Sequence, residues 1–464
     1  MLFSELQFFV FFAAYFALHL TLPARFRVYL IIAGGAVFYA WWRIDYLWVP
    51  VLLSVMAFGG VGWIESTDNA ATRGWRLKLV IACILTPLVL VKYSYFIATN
   101  LAIAAGSANA AQDFAGLKIG LPLGISFITF SAIAYVADVY RKRFMPEKRF
   151  SVLLAYIMFF PHLIAGPILR PHELIPQIKQ LRPALGARFL TGVGIFTLGL
   201  FKKLVIADQL ASIVDPVFNS GNAEGALSYV LAVYGFAAQI YCDFSGYSDM
   251  AIGLAYILRI RLPTNFLRPY RATSILEFWR RWHITLSHWL RDYLYIPLGG
   301  SRMGEARQNI NLLLTMVLGG LWHGANWTFL LWGLLHGIAL ILNHGLRSYS
   351  QLMPRPLASV LTFHFVAVAW IFFRAPDVEN AFKIIQGPFV TSWGDVAEFL
   401  QANIFPVAIL VFFFATHRFD RHALVRYAMA RIPLVIAIPA ISFLWMISFA
   451  LSQGNSAKFI YFDF

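Results

Sequence analysis

The chain has 464 residues, of which 60% are hydrophobic and 13% charged, with a formal net charge of +15. Soluble domains carry about 25% charged residues, so a soluble protein with a single anchor is excluded, and an integral helical membrane protein is the class that fits. The 37 Lys and Arg stand between apolar runs, where they set membrane orientation. No soluble basic domain is present to bind nucleic acid.

A crossing needs about 20 apolar residues. The first run, MLFSELQFFVFFAAYFALHL, lacks a basic leader region and a small-residue cleavage site, and reads as a retained helix. Crossings are expected near 3–22, 27–43, 46–63, 77–98 and 121–140, and the polar stretch 99–120 reads as a plain loop. The apolar run 150–168 is interrupted by FPHLIAGPILRP and is expected to dip in and return. Further crossings follow near 189–213 and 227–247, two within 309–346, and the last three near 357–374, 402–417 and 432–451. The expectation is an all-α polytopic membrane protein. It has about eleven transmembrane helices plus re-entrant and short buried helices, in one domain spanning 1–464.

With the N-terminus outside and the crossings alternating, the inside segments hold 29 Lys and Arg and the outside segments five. That bias supports the orientation and places the C-terminal KFIYFDF outside. No internal repeat of the kind that marks many transporters is visible.

The segment 239–308 is aromatic and cationic together. Trp279, Trp282, Trp289, Tyr293 and Tyr295 alternate with Arg280, Arg281 and Arg291. It is too polar to cross lipid and too apolar for a solvated loop, so short helices tucked against the inner mouth of a cavity are expected. The plainer reading is an amphipathic helix on anionic headgroups. Asp243 and Asp249 flank FSGYS and are expected to pair with arginines of this segment rather than hold a metal. Cys83 and Cys242 lie in apolar runs and offer neither a disulfide framework nor a zinc site.

GGLWHGANW, from Gly319 to Trp327, puts His323 inside a predicted membrane helix. With a helix starting near Asn309, His323 lies about 21 Å into a core of roughly 30 Å. An ionisable group at such depth marks a wet cavity or a functional site. Gly319, Gly320 and Gly324 leave room for another backbone or a substrate, and Asn326 is placed to hold one imidazole nitrogen. His283, beside Trp282 and near Arg280 and Arg281, is the second candidate. Positive charge and burial both lower its pKa, and a neutral imidazole serves as a general base. The other nine histidines, among them His162, His288, His336, His417 and His422, read as structural.

Several long stretches, spread in order over nearly the whole chain, resemble the membrane-bound O-acyltransferases. They are LPLGISFITF (121–130), FFPHLIAGPILRP (159–171), GLFKKLVIAD (199–208), QIYCDFSGYSDMAIG (239–253), FWRRWHITLSHWLRDYLYIPLGGSR (278–302), LWHGANW (321–327) and FIYFDF (459–464). The resemblance is to the bacterial branch that modifies cell-surface polymers by O-acetylation or D-alanylation. It implies a water-filled funnel through a ring of helices and an acyl donor arriving from the cytosol. The family's near-invariant membrane histidine falls on His323 and its second histidine on His283. It also implies a periplasmic or membrane-anchored partner that receives the acyl group and places it on the polymer. His288, where a small or aromatic residue is usual, and the terminal YFDF depart from the pattern and leave the polymer open.

The expected function is transfer of an acyl group, acetyl first, from a cytosolic thioester to an extracytoplasmic polysaccharide at the bacterial inner membrane. The donor is acetyl-CoA or an acyl carrier thioester, with no bound cofactor or metal. His323 is expected to act as general base or transient acyl carrier and His283 to assist. Arg280, Arg281, Arg291, Trp282, Asn326 and Tyr293 are the expected donor-side residues. Two alternatives stand beside it: D-alanyl transfer to a teichoic-acid-type polymer, and a transporter or channel for a small anion.

Overall fold

The computed structural model describes residues 1–107, 109–181, 186–346, 353–394, 396–452 and 459–460. Among them every regular element is helical. This follows from the sequence, since apolar runs in lipid must satisfy their backbone groups internally. The protein is a multi-pass integral membrane protein. Among the described residues seven helices are long and apolar enough to cross a bilayer, or eight if the pair Val396–Ala402 and Ile404–Phe419, bent by 86°, is one span. The expected eleven is not reached on that measure. Leu6–Thr21 and Ile125–Tyr140, both expected to cross, are shorter apolar helices, and the run 27–43 forms a helix of 14 residues, Arg27–Ala40. The run at 150–168 gives Phe150–Ile157, whose 8 residues are too few for a crossing, followed by a tight turn at Phe160–His162.

The chain divides into two compact units. The first comprises Met1–Phe189 and Leu254–Pro263. Its centre is the Ile125–Tyr140 helix, buried along nearly its whole length. The same unit holds an aromatic cluster of Phe3, Phe8, Phe11, Phe38 and Phe160, with ring centroids of Phe3 and Phe8 4.8 Å apart and of Phe11 and Phe160 5.4 Å apart. The polar stretch after residue 98 is partly helical, because the helix there runs from Ala70 to Ala104.

The second unit, Leu190–Gly253 and Thr264–Phe464, carries the candidate residues. Two of its helices form an antiparallel hairpin, Glu305–His323 and Trp327–Gly345. They pack backbone on backbone: a Cβ on Gly320 would stand 2.2 Å from the Phe329 carbonyl oxygen, and one on Gly333 2.4 Å from that of Met316. At Gly324 a Cβ would meet the Phe329 ring at 2.0 Å. The space beside these two glycines of the GGLWHG stretch is therefore filled by the hairpin partner, not by a substrate.

A second close contact brings the helix Ala187–Phe201 against Ala226–Ile257. It continues through a π-helical turn, Lys202–Ala207, into Asp208–Ser220. The wide turn points two adjacent lysines inward. Lys202 Nζ lies 2.7 Å from Asp249 and 2.6 Å from Asp420, and Lys203 Nζ lies 2.8 Å from both Asp208 and Asp243. Asp243 and Asp249 thus pair with lysines, not with the arginines expected. Charges buried at this depth need partners, and the lysines on the facing helix are within reach.

Candidate active site

The aromatic-cationic stretch folds as the helices Ile275–Trp279 and Ile284–Leu290, then a π-helical turn Arg291–Tyr295. His283 stands between the two helices with φ +40°, a left-handed conformation that is uncommon for residues with a side chain. Its side chain is fully buried. Phe244 packs edge-on against the imidazole with centroids 4.7 Å apart, and Trp322 lies 6.3 Å away on another side.

One residue holds this arrangement. Asn265 Oδ1 accepts the Thr285 backbone N–H at 3.2 Å and the Thr285 hydroxyl at 2.9 Å, and its backbone carbonyl accepts the Ile284 N–H at 2.9 Å. The same Oδ1 lies 3.2 Å from His283 Nδ1. An atom that accepts a backbone N–H is the amide oxygen, so His283 Nδ1 must be the protonated nitrogen and Nε2 carries the lone pair. Burial pushes this imidazole down to about 3, which keeps it neutral. The nearby arginines, expected to share in that shift, are turned elsewhere. Arg280 is exposed and Arg281 is ion-paired with Glu277.

His323 is the last residue of its helix, not a mid-helix residue, because the helix starts at Glu305 and ends before Gly324. It is buried among Trp322, Trp332 and Phe373, with centroids 4.9, 5.3 and 5.1 Å away. Trp322 therefore touches both imidazoles and places the two candidate histidines in one aromatic cluster. His336, read from sequence as structural, extends it: its ring lies 4.9 Å from Trp332 and 5.2 Å from Trp279. No described residue hydrogen-bonds either of its nitrogens.

The other candidates are not all brought to this cluster. Trp282 is brought to its edge: it packs on Trp370 and Phe278 at 4.8 and 5.7 Å, and Trp370 in turn stacks on Trp332 at 5.7 Å. Arg291 is exposed and bound to Asp292 at 2.7 Å, and Tyr293 is half-buried against Trp289. Asn326 does not hold the His323 ring. Its Oδ1 caps the following helix at the Thr328 N–H and its Nδ2 donates to the Pro376 carbonyl at 2.7 Å. Asn265 was missed because nothing in LPTNF announces it; only the left-handed turn at His283 brings it within reach. Near the chain's end Phe459 is buried 5.2 Å from Tyr247, and the Ile460 N–H donates to Asp243 at 2.8 Å. The final YFDF lies outside the described residues.

Residues 148–375 match the family model of the membrane-bound O-acyltransferases. The chain is similar to the probable alginate O-acetylase AlgI of Azotobacter vinelandii, 41% identical over 408 residues that cover 84% of this chain and 78% of the relative. The chain belongs to the membrane-bound O-acyltransferase family. It is also similar to the peptidoglycan O-acetyltransferase of Helicobacter pylori, 39% identical over 78% of this chain and 73% of that one. Likeness to the teichoic acid D-alanyltransferase of Bacillus subtilis is lower, 27% over 54% of this chain and 68% of that one. The protein is an O-acyltransferase, and His283 and His323 both fall inside the matched region.

Proposed function

We propose that this O-acyltransferase moves acetyl groups from a cytosolic thioester, acetyl-CoA or an acyl carrier, to an extracytoplasmic cell-surface polysaccharide. It does so from the bacterial inner membrane, with both termini outside. The observation that carries the reading is the contact of Trp322 with both His283 and His323. His323 takes the proton of the acceptor hydroxyl as the hydroxyl oxygen attacks the thioester carbonyl. The carbon–sulfur bond breaks, and the leaving thiolate takes a proton back from the imidazolium. His283, with Nδ1–H fixed on Asn265, assists through Nε2 on the donor side. A periplasmic or membrane-anchored partner completes delivery to the polymer.

Acetyl is favoured over D-alanyl by the higher identity to two O-acetyl-transferring relatives, 41% and 39% against 27%. The test is thiol release from acetyl-CoA in proteoliposomes containing the partner, together with mass analysis of surface glycans from cells. His323→Ala, stably inserted, is expected to lose both signals; full activity in that variant ends the proposal.

A further inference from the structure

Away from the histidine cluster, a cavity of about 300 Å³ opens where the helices Arg355–Arg374 and Ile404–Thr416 come together. Its walls are aromatic, formed by Tyr270, Phe363 and Phe414, and Arg271 and Arg418 line it as well, with the Arg418 guanidinium 4.5 Å over the Phe419 ring. Both arginines are exposed, and neither has a carboxylate within ion-pair distance among the described residues. The nearest acid in sequence, Asp420, is already bound to Lys202 and Tyr241.

A third group faces the same space. His417 lines the cavity, is only 6% exposed, and has no hydrogen-bond partner at either ring nitrogen among the described residues. Its ring is fixed edge-on against Tyr241 at 4.8 Å. Arg268, whose guanidinium donates to the Arg418 carbonyl, is held below its ordinary value first by burial and then by Arg421, Arg281 and Arg271.

Val360, at the cavity wall, is five residues into its helix, about 7.5 Å from the helix start at 1.5 Å per residue. Val360 and Phe414 are 50% and 39% exposed and turn apolar surface outward beside the opening. Two arginines without a carboxylate partner among the described residues and a buried imidazole, beside aromatic walls and exposed apolar side chains, complement a phosphodiester joined to acyl chains.

We propose that this cavity is a binding site for one anionic phospholipid, with the phosphate on Arg271, Arg418 and His417 and the chains along Phe363 and Phe414. The test is native mass spectrometry of the purified protein after exchange into mixed phosphatidylglycerol and phosphatidylcholine nanodiscs. Wild type is expected to retain phosphatidylglycerol in preference. Arg271→Gln with Arg418→Gln is expected to lose that preference by roughly tenfold or more, since each arginine near an anionic surface contributes about a fivefold factor. Val360→Trp, which fills the mouth and leaves the charges in place, is expected to lower retention too. Arg355→Gln, at the same helix end but outside the cavity, is expected to change nothing. The proposal is overturned by equal preference in the double-arginine variant, by an equal loss in Arg355→Gln, or by displacement of the lipid by coenzyme A, which would assign the arginines to a soluble phosphate.

Discussion

His283 donates its Nδ1–H to Asn265 Oδ1 across 3.2 Å, and the same oxygen receives both the backbone N–H and the hydroxyl of Thr285. One amide oxygen thereby fixes a tautomer, a ring orientation and the start of the Ile284–Leu290 helix. Asn265 acts through His283, as a positioning residue. Asn265→Ala is expected to lower kcat by about 10- to 100-fold, as loss of a partner that orients an imidazole commonly does. Asn265→Asp sets a carboxylate against the ring, favours the imidazolium, and should move the acid limb of the pH–rate profile upward. An unchanged profile in the Asp variant, with only a lower thermal midpoint, would reduce Asn265 to a packing role.

The neutral state of His283 also enters stability. The unfolded chain binds a proton there below about 6.5, while the folded chain resists it down to about 3. Its folded value is depressed, so the stability is present above pH 6.5 and lost as pH falls through that interval, by at most about 1.4 kcal/mol per pH unit. Thermal midpoints in detergent should fall on acidification from about pH 7 to pH 5, and less steeply in His283→Gln.

Trp322 is the group common to both histidines. Trp322→Phe keeps an aromatic wall and should retain most activity, whereas Trp322→Ala opens a cavity and should cost about 3–5 kcal/mol of stability along with activity. Thiol release and thermal unfolding, measured on the same preparations, separate the two variants.

The paired lysines supply a sharper stability test. Lys202→Met leaves Asp249 and Asp420 in a buried site without their shared cation, with His422 at 2.6 Å from Asp249 and the Tyr241 hydroxyl at 2.6 Å from Asp420 as their remaining partners among the described residues. Removing one partner from such a cluster costs about 3–5 kcal/mol. Lys202→Met combined with Asp249→Asn should recover part of it, read as the yield of folded protein by size exclusion.

The hairpin that carries His323 has no room at its crossing. Gly320→Ala puts a methyl group into the Phe329 carbonyl, 2.2 Å away, so the helices must separate. The expected result is a stability loss of about 1–3 kcal/mol from overpacking, with activity reduced because the His323 end of the helix moves.

How much of this was legible from sequence depended on whether a feature is local. The helical membrane class follows from apolar run length, and His323 stood out because an ionisable group in such a run is costly. The length of each crossing was not legible, since it depends on where a run bends, as at the 86° break before Ile404. The partners of Asp243 and Asp249 were also out of reach. Arginines were closer in sequence, but the π-helical turn rotates Lys202 and Lys203 onto the facing helix. Asn326 is three residues from His323, which pointed to a contact, yet a helix N-cap claimed its carbonyl. Asn265 lies 18 residues from the ring it holds, and no periodicity links them.

The backbone at position 283 has one more use. At φ +40° any side chain adds strain, and glycine alone is relieved there. Alanine would keep the strain while removing the ring, so a dead alanine variant confounds misfolding with lost chemistry. His283→Gly keeps the bend comfortable while removing the imidazole, so its loss of activity, compared at equal folded yield, reports the ring and its contacts without added backbone strain.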